Sequence, residues 1–258
     1  MEKKRNLLCK CSFCGSAYRG FQVQVEPNTI CNMLQNAIEK VFLIRYDIKG
    51  CSRTDSKVHA KEFYFNFITE KPEKLYKTEN IPKALNTYLP SDIVVLDCKE
   101  VEKDFHSRYF CLGKEYIYII KNTKNKDPFD YDRVLYYNRP FNEKLVNQAA
   151  QLFVGEHDFS AFCSKYCDIE NRVRIIYSFT VEREEENIIF KVRGNGFLYN
   201  MVRIMVGTLI KINEGAMQQE DIPLIIKSQK RKNAGVTVKP EGLYLNKVFY
   251  DKKDLMDF

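Results

Sequence analysis

The chain has 258 residues, 45% of them hydrophobic and 29% charged. That is enough length to bury a core without metals or disulfides, and a composition that excludes a stapled miniature scaffold, a disordered chain and a fibrous repeat. Lys plus Arg number 41 against 34 Asp plus Glu, a formal charge of +7 that favours a polyanionic partner.

No internal repeat or long linker interrupts the chain, and periodicity sets the order of elements. Residues 6–14 read as a strand. After Asn28, taken as N-cap, Ile30, Met33, Leu34, Ala37, Ile38, Val41 and Phe42 form the apolar stripe of an amphipathic helix. Strands follow at 46–51 and 63–68, where Phe63, Phe65 and Phe67 point one way and Tyr64, Asn66 and Ile68 the other, then a short helix near 81–88 and a strand near 92–101. From Phe105 the plan repeats: a strand at 114–121, a helix at 142–153, strands at 173–183 and 187–194, helices at 196–213 and 219–228, and a last strand at 242–249. Two β-α-β-β-α-β halves, 1–104 and 105–258, make the fold class α+β, with two ferredoxin-like units, a mainly antiparallel sheet and a central cleft as the place for a site.

The apolar runs, Tyr116 to Ile120 among them, are far short of the roughly 20 residues that span a bilayer, and Leu7-Leu8-Cys9 after Lys3, Lys4 and Arg5 is too short for a signal peptide. The expectation is a cytoplasmic protein with no membrane partner. The nine cysteines lie mostly in apolar segments, as free thiols of a reduced compartment do. Cys9, Cys11 and Cys14 with Cys163 and Cys167 fit a zinc site poorly, because strand alternation separates Cys14 from the other two of its group, and no metal is expected.

Several polar groups stand out. In the loop Ser52-Arg53-Thr54-Asp55-Ser56-Lys57-Val58-His59-Ala60, Asp55 reads either as a turn or cap residue beside a solvated Arg53, or as the centre of a functional loop; His59 fits a hydrogen-bonded residue at the entrance of a strand. Arg203 stands among apolar neighbours on its helix and either snorkels at the helix edge or is desolvated and requires an acceptor, for which Asp55 is a candidate. Tyr116 and Tyr118, two apart on a strand with Lys114, either pack a core or stack bases beside a cation. The run Lys227 to Lys232 is a solvated helix end or a basic contact surface.

Taken in order, Tyr18–Gln24, Ser52–Ala60, Ala84–Ile93, Asp104–Tyr109, Lys114–Tyr118, Gly155–Phe162, Asn195–Arg203 and Glu241–Leu245 closely resemble the tRNA pseudouridine synthase A (TruA) family over nearly the whole chain. The resemblance implies that Asp55, matching the aspartate of the family's G-R-T-D-x-G-V-H-A loop, is the catalytic nucleophile. It implies that Arg53 contacts phosphate and helps hold the flipped base, and that Lys57 and His59 belong to the same RNA-binding loop. Tyr116 matches the first tyrosine of R-x-Y-x-Y, which packs on the target uracil and takes its C5 proton. Arg203 matches the arginine that pairs with the aspartate, and Leu243 and Tyr244 lie in the G-L-Y-L segment that lines the pocket.

The implied reaction isomerises uridine to pseudouridine in the tRNA anticodon stem-loop, at positions 38–40 in tRNA numbering, on a homodimer. It breaks an N-glycosidic bond, turns the base and rejoins it through carbon, and so needs a nucleophile, a retaining pocket and a proton acceptor, with no cofactor. The alternatives are a synthase of the same scaffold acting on another RNA, and a non-catalytic RNA-binding protein. Four positions depart from the family pattern: Ser52 and Lys57 stand where it has glycine, Cys14 where it has aspartate, and Phe21 where it has tryptophan.

Overall fold

In the computed structural model, residues 4–164 and 169–257 are described. β1 (Arg5–Phe13) is flanked on both edges, so its alternation sinks Leu7, Cys9 and Cys11 completely. α1 (Ile30–Phe42) lays Ile30, Leu34, Ala37, Ile38 and Phe42 into the same core. Its N-cap is Thr29 rather than Asn28: the Thr29 hydroxyl accepts the Asn32 N–H at 3.3 Å, while the Asn28 amide donates instead to the Ala17 carbonyl at 2.6 Å. β2 shrinks from the expected 46–51 to Lys49–Gly50, because Tyr46 turns inward to pack edge-on against Phe42 and to bond Thr69 through its hydroxyl.

β3 (His59–Thr69) is longer than expected, and its Phe63, Phe65 and Phe67 are fully or almost fully buried, as the alternation requires. α2 (Ile81–Asn86) stops early, and the Asn86 side chain pairs with both backbone groups of Val95 in β4 (Ile93–Val101), at 2.8 Å each. The strand order β4-β1-β3, with β2 beyond β3, is that of a ferredoxin-like unit, antiparallel throughout.

The chain divides into two compact units, Met1–Leu112 with Leu245–Asp254, and Gly113–Tyr244 with Leu255–Phe258. Against the expected halves 1–104 and 105–258, the first unit keeps residues 105–112. The reason is polar: Phe105 and Ser107 cover the strands by accepting the Asn6 amide (2.8 Å) and donating to the Asn66 side chain (3.0 Å).

The second unit holds β5 (Gly113–Lys121), β6 (Leu135–Tyr136), α3 (Glu143–Gln151), β7 (Gly155–Asp158), β8 (Val173–Glu184), β9 (Asn187–Gly194), α4 (Met201–Asn213) and α5 (Asp221–Ser228). β10 (Leu243–Phe249) begins in it and ends in the first unit, followed by α6 (Lys252–Leu255). Its strands run β5-β9-β8-β7, antiparallel, with β6 parallel to β5. α4 starts at Met201 instead of residue 196, because Asn200 takes a left-handed conformation (φ 61°) that no helix continues through.

Glu115 and Arg193 are register partners on β5 and β9, both buried, with Nη2 and Oε2 2.8 Å apart. Arg193 Nη1 also donates to the carbonyls of Leu255 (3.0 Å) and Asp257 (2.6 Å), tying the C-terminal segment to the strand. Replacing Arg193 by Met leaves a buried carboxylate without its cation and should lower stability by about 3–5 kcal/mol, read from the urea midpoint. Adding Glu115→Gln should recover part of that loss; no recovery would show that the carboxylate is not what the loss came from.

Candidate active site

The loop 51–58 between β2 and β3 rests against the segment 14–21 through backbone. Phe21 N–H donates to the Thr54 carbonyl (3.2 Å), Lys57 N–H to the Tyr18 carbonyl (3.0 Å), and the Ser56 hydroxyl to the same Tyr18 carbonyl (3.3 Å). Two glycines make this approach possible. A β-carbon on Gly15 would stand 2.0 Å from the Val58 carbonyl oxygen, and one on Gly20 (φ 86°) 2.5 Å from that of Thr54. Tyr18 is fixed in turn by Asp92, which accepts its hydroxyl at 2.6 Å; burial and that carboxylate raise its phenol well above the usual range.

On this seat Arg53 and Lys57 are exposed, Asp55 is half-buried, and Val58 and His59 are buried. The Val58 N–H bonds back to the Asp55 carbonyl at 3.2 Å, closing a turn that aims the carboxylate from a fixed backbone. Lys57 has φ 66°, which accounts for a glycine at that place in the family pattern. Beside Asp55, Thr54 is buried and its Oγ1 has no hydrogen-bond partner. A buried hydroxyl left that way costs roughly 1–3 kcal/mol.

His59 is the hydrogen-bonded entrance residue that its position suggests: Nδ1 accepts the Gly15 N–H at 3.1 Å, so its ring proton sits on Nε2. A hydrogen bond with His59 draws the Cys14 thiol down to about 6 against its partial burial, and Ser16, whose Oγ lies 3.4 Å from Sγ, adds to the effect. Cys14 lies just past β1. Cys167 is outside the described residues; among those described, no three His, Cys, Asp or Glu side chains are grouped to hold a metal ion.

In the second unit, Tyr116 is almost wholly buried and meets Phe197 edge-on, 5.1 Å between ring centroids. Tyr118 is completely buried and donates to the Lys239 carbonyl at 2.7 Å; burial first, and then Glu241, raise its phenol far above the ordinary value, against the pull of Arg203. Of the two tyrosines, Tyr118 is therefore a core residue.

Arg203 is only partly buried, short of the desolvated setting weighed from the sequence. Its Nε donates to the Val238 carbonyl (2.8 Å) and Nη1 to Asn200 Oδ1 (2.6 Å). Leu243 is buried, and the Tyr244 hydroxyl donates to the Arg133 carbonyl at 2.6 Å. In the basic run, Lys227, Lys230 and Lys232 are exposed, whereas Arg231 holds the following loop through Gly235 O (2.8 Å) and Thr237 Oγ1 (3.1 Å).

Arg53, Asp55 and Lys57 thus share one seated loop, with His59 opening β3 directly after it, and Tyr116, Arg203, Leu243 and Tyr244 lie in the other unit. Sequence reasoning missed Thr54, Asn200 and Gly15 as parts of these settings. The signal for Gly15 was a glycine directly after a strand; a hydroxyl's missing partner has none.

Two ferredoxin-like units, the first presenting a half-buried aspartate on a loop seated against backbone, define an α+β protein of the pseudouridine synthase fold. The tRNA pseudouridine synthase family model matches residues 11–110 and 149–251, which include Asp55, Arg203, Leu243 and Tyr244 and leave Tyr116 between the two stretches. The tRNA pseudouridine synthase A of Clostridium kluyveri is 41% identical over 246 residues, 95% of this chain and 100% of that protein. That of Thermoanaerobacter sp. (strain X514) is 39% identical over 246 residues, with the same coverage. The Staphylococcus aureus (strain MRSA252) protein of that name is 35% identical over 255 residues, 97% of this chain and 94% of its own length. The chain belongs to the tRNA pseudouridine synthase family, whose members are isomerases.

Because Lys57 holds a left-handed conformation, Lys57→Gly should raise stability by about 0.5–1 kcal/mol, measured as a shift in denaturant midpoint; a loss would mean that the side chain contributes more than its backbone strain costs. Alkylation of Cys14 by iodoacetamide should climb through a midpoint near pH 6, because only the thiolate reacts, while Cys31, which burial pushes up to about 11, stays slow. A Cys14 midpoint at the ordinary 9.0, followed by peptide mass spectrometry, would remove the thiolate.

Proposed function

We propose that this chain isomerises uridine to pseudouridine in the anticodon stem-loop of tRNA, at positions 38–40, with Asp55 as the nucleophile. The observation that carries the reading is the seating of the Asp55 loop: backbone hydrogen bonds and two glycine contacts fix a half-buried aspartate between two exposed cations. A carboxylate held this way suits covalent attack, since a nucleophile fixed on a rigid support needs little reorganisation to react.

In the reaction Asp55 forms a transient bond to the nucleotide, the bond between ribose C1′ and N1 breaks, the base turns, a bond from C1′ to C5 forms, and the bond to Asp55 breaks to return the free carboxylate. The C5 proton leaves to an acceptor, for which Tyr116 stands by resemblance, and N1 ends protonated, so atoms balance with no co-reactant. Arg53 and Lys57 supply positive charge for the phosphates of a nucleotide lifted from its stack, a step that costs about a few kcal/mol. Arg203 is the cation that the resemblance assigns to the Asp55 carboxylate, and Leu243 and Tyr244 are pocket residues on the same ground.

The working form in this reading is a cytoplasmic homodimer, supported by the resemblance. Among the described residues no helix is long and apolar enough to cross a membrane. A pure RNA-binding protein would gain nothing from an anion facing phosphate.

Asp55→Asn should abolish pseudouridine formation on a tRNA pool while tRNA affinity stays within about three-fold, because the lost group acts in chemistry and not in docking. Turnover above roughly a hundredth of wild type would sink the nucleophile assignment. Mapping the modified uridines decides the positions: pseudouridine outside 38–40, or in another RNA, would overturn the anticodon reading.

A further inference from the structure

The start of α4 departs from the usual helix N-terminus. Asn is among the best N-cap residues because its side-chain oxygen satisfies an N–H of the first turn. Asn200 occupies the N-cap position and makes no such bond. It holds φ 61°, a conformation that costs a side-chain-bearing residue energy, although asparagine tolerates it better than most. Its amide is used elsewhere: Oδ1 accepts Arg203 Nη1 at 2.6 Å, and Nδ2 donates to Ser164 Oγ at 2.8 Å. Ser164 is itself fixed by its N–H on the Tyr199 carbonyl at 3.1 Å.

The opposite side of the guanidinium is held as firmly. Nε donates to the Val238 carbonyl at 2.8 Å, and Val238 belongs to a strap laid directly on α4. A β-carbon on Gly207 would meet the Val236 carbonyl oxygen at 1.9 Å, and one on Gly235 the Thr208 nitrogen at 2.4 Å. The Thr208 hydroxyl accepts the Gly235 N–H at 2.9 Å, and Val238 N–H returns to the Arg203 carbonyl at 3.4 Å. Arg203 is therefore clamped between an amide and a carbonyl that both belong to rigid parts of one unit.

We propose that Asn200 is a positioning residue for the isomerisation: it forgoes capping α4 in order to fix the guanidinium of Arg203, with Ser164 bracing its amide. The inference rests on the reading of Arg203 as the arginine that serves the nucleophile. A long, flexible side chain that must present its charge in one place loses rate when released, and misplacement by about an ångström can cost on the order of a hundred-fold.

The test separates this role from a structural one, because the two predict opposite changes in stability. Asn200→Gly accepts the positive φ without strain and removes the amide. Its melting temperature should equal or exceed that of wild type, KM for tRNA should stay within about two-fold, and single-turnover kcat should fall about ten- to hundred-fold. Ser164→Ala, which leaves Asn200 in place but unbraced, should give a smaller loss, about two- to five-fold, with KM unchanged.

In an Arg203→Ala background, adding Asn200→Gly should lower kcat no further, since a residue acting through another has nothing left to position. If the two losses multiply instead, Asn200 acts on its own and the proposal fails. It also fails if Asn200→Gly melts lower with kcat intact, which is the pattern of a purely structural residue. Wild-type turnover in Arg203→Ala alone would overturn the catalytic reading of Arg203 and this inference with it. An inactive Arg203→Ala beside a fully active Asn200→Gly would overturn this inference only.

Discussion

The candidate nucleophile depends on one close contact between backbones. Loop 51–58 lies on segment 14–21 at a distance that admits no β-carbon at Gly15 or Gly20, and the carbonyls that those glycines approach belong to Val58 and Thr54, on either side of Asp55. Because backbone atoms have no rotamers to adjust, the contact fixes where the loop runs, and through the turn from Asp55 to Val58 it fixes the origin of the carboxylate. Side-chain packing alone would leave this eight-residue stretch several registers to choose among. Burial of Phe21 against Phe63, 4.5 Å between ring centroids, and of Tyr18 above Asp92 holds the seat itself to the sheet.

Local costs gather around this seat and around Arg203. Lys57 carries a side chain where the backbone is left-handed, Thr54 buries a hydroxyl without a partner, and Asn200 leaves a helix uncapped. Each stands within three residues of a group assigned to the chemistry. Elsewhere demanding groups are satisfied: Arg193 meets a carboxylate and two carbonyls, and Arg5 meets Glu100, Thr78 and the Tyr76 carbonyl. Left-handed backbone also occurs at Leu43, Asp132, Glu185 and Gln229, so what sets this seat apart is the buried Thr54 hydroxyl beside the candidate nucleophile.

Much of this architecture was legible in the residue pattern, for identifiable reasons. Phe63, Phe65 and Phe67 alternate because β3 has a core on one side, and the stripe from Ile30 to Phe42 repeats at helical spacing because α1 covers that core. What stayed hidden was set by single side chains acting on backbone. Nothing in composition shows that Tyr46 abandons its strand for Phe42, that Asn86 replaces a strand partner for Val95, or that Asn200 halts a helix whose apolar stripe runs on through Leu198. The candidate site divided the same way. Asp55 and Arg203 stood out as charges in unusual company, whereas Thr54 and Asn200 are ordinary residues whose importance lies in which hydrogen bonds they make or lack.

The departures from the family pattern follow from which property each position needs. At Cys14 a hydrogen bond with His59 at the entrance of β3 draws the thiol down to about 6, toward the charge that an aspartate at this place would carry. At Phe21 the need is a flat apolar face against Phe63, which a phenyl ring meets without the indole nitrogen. At Lys57 the need is a left-handed backbone, which glycine supplies without strain and lysine does not; that substitution alone is a conformational loss, and it brings a cation to the residue next but one after Asp55. A change that costs backbone energy while adding charge beside the candidate nucleophile is intelligible where the partner is a polyanion, because there the added attraction is realised only when RNA is bound.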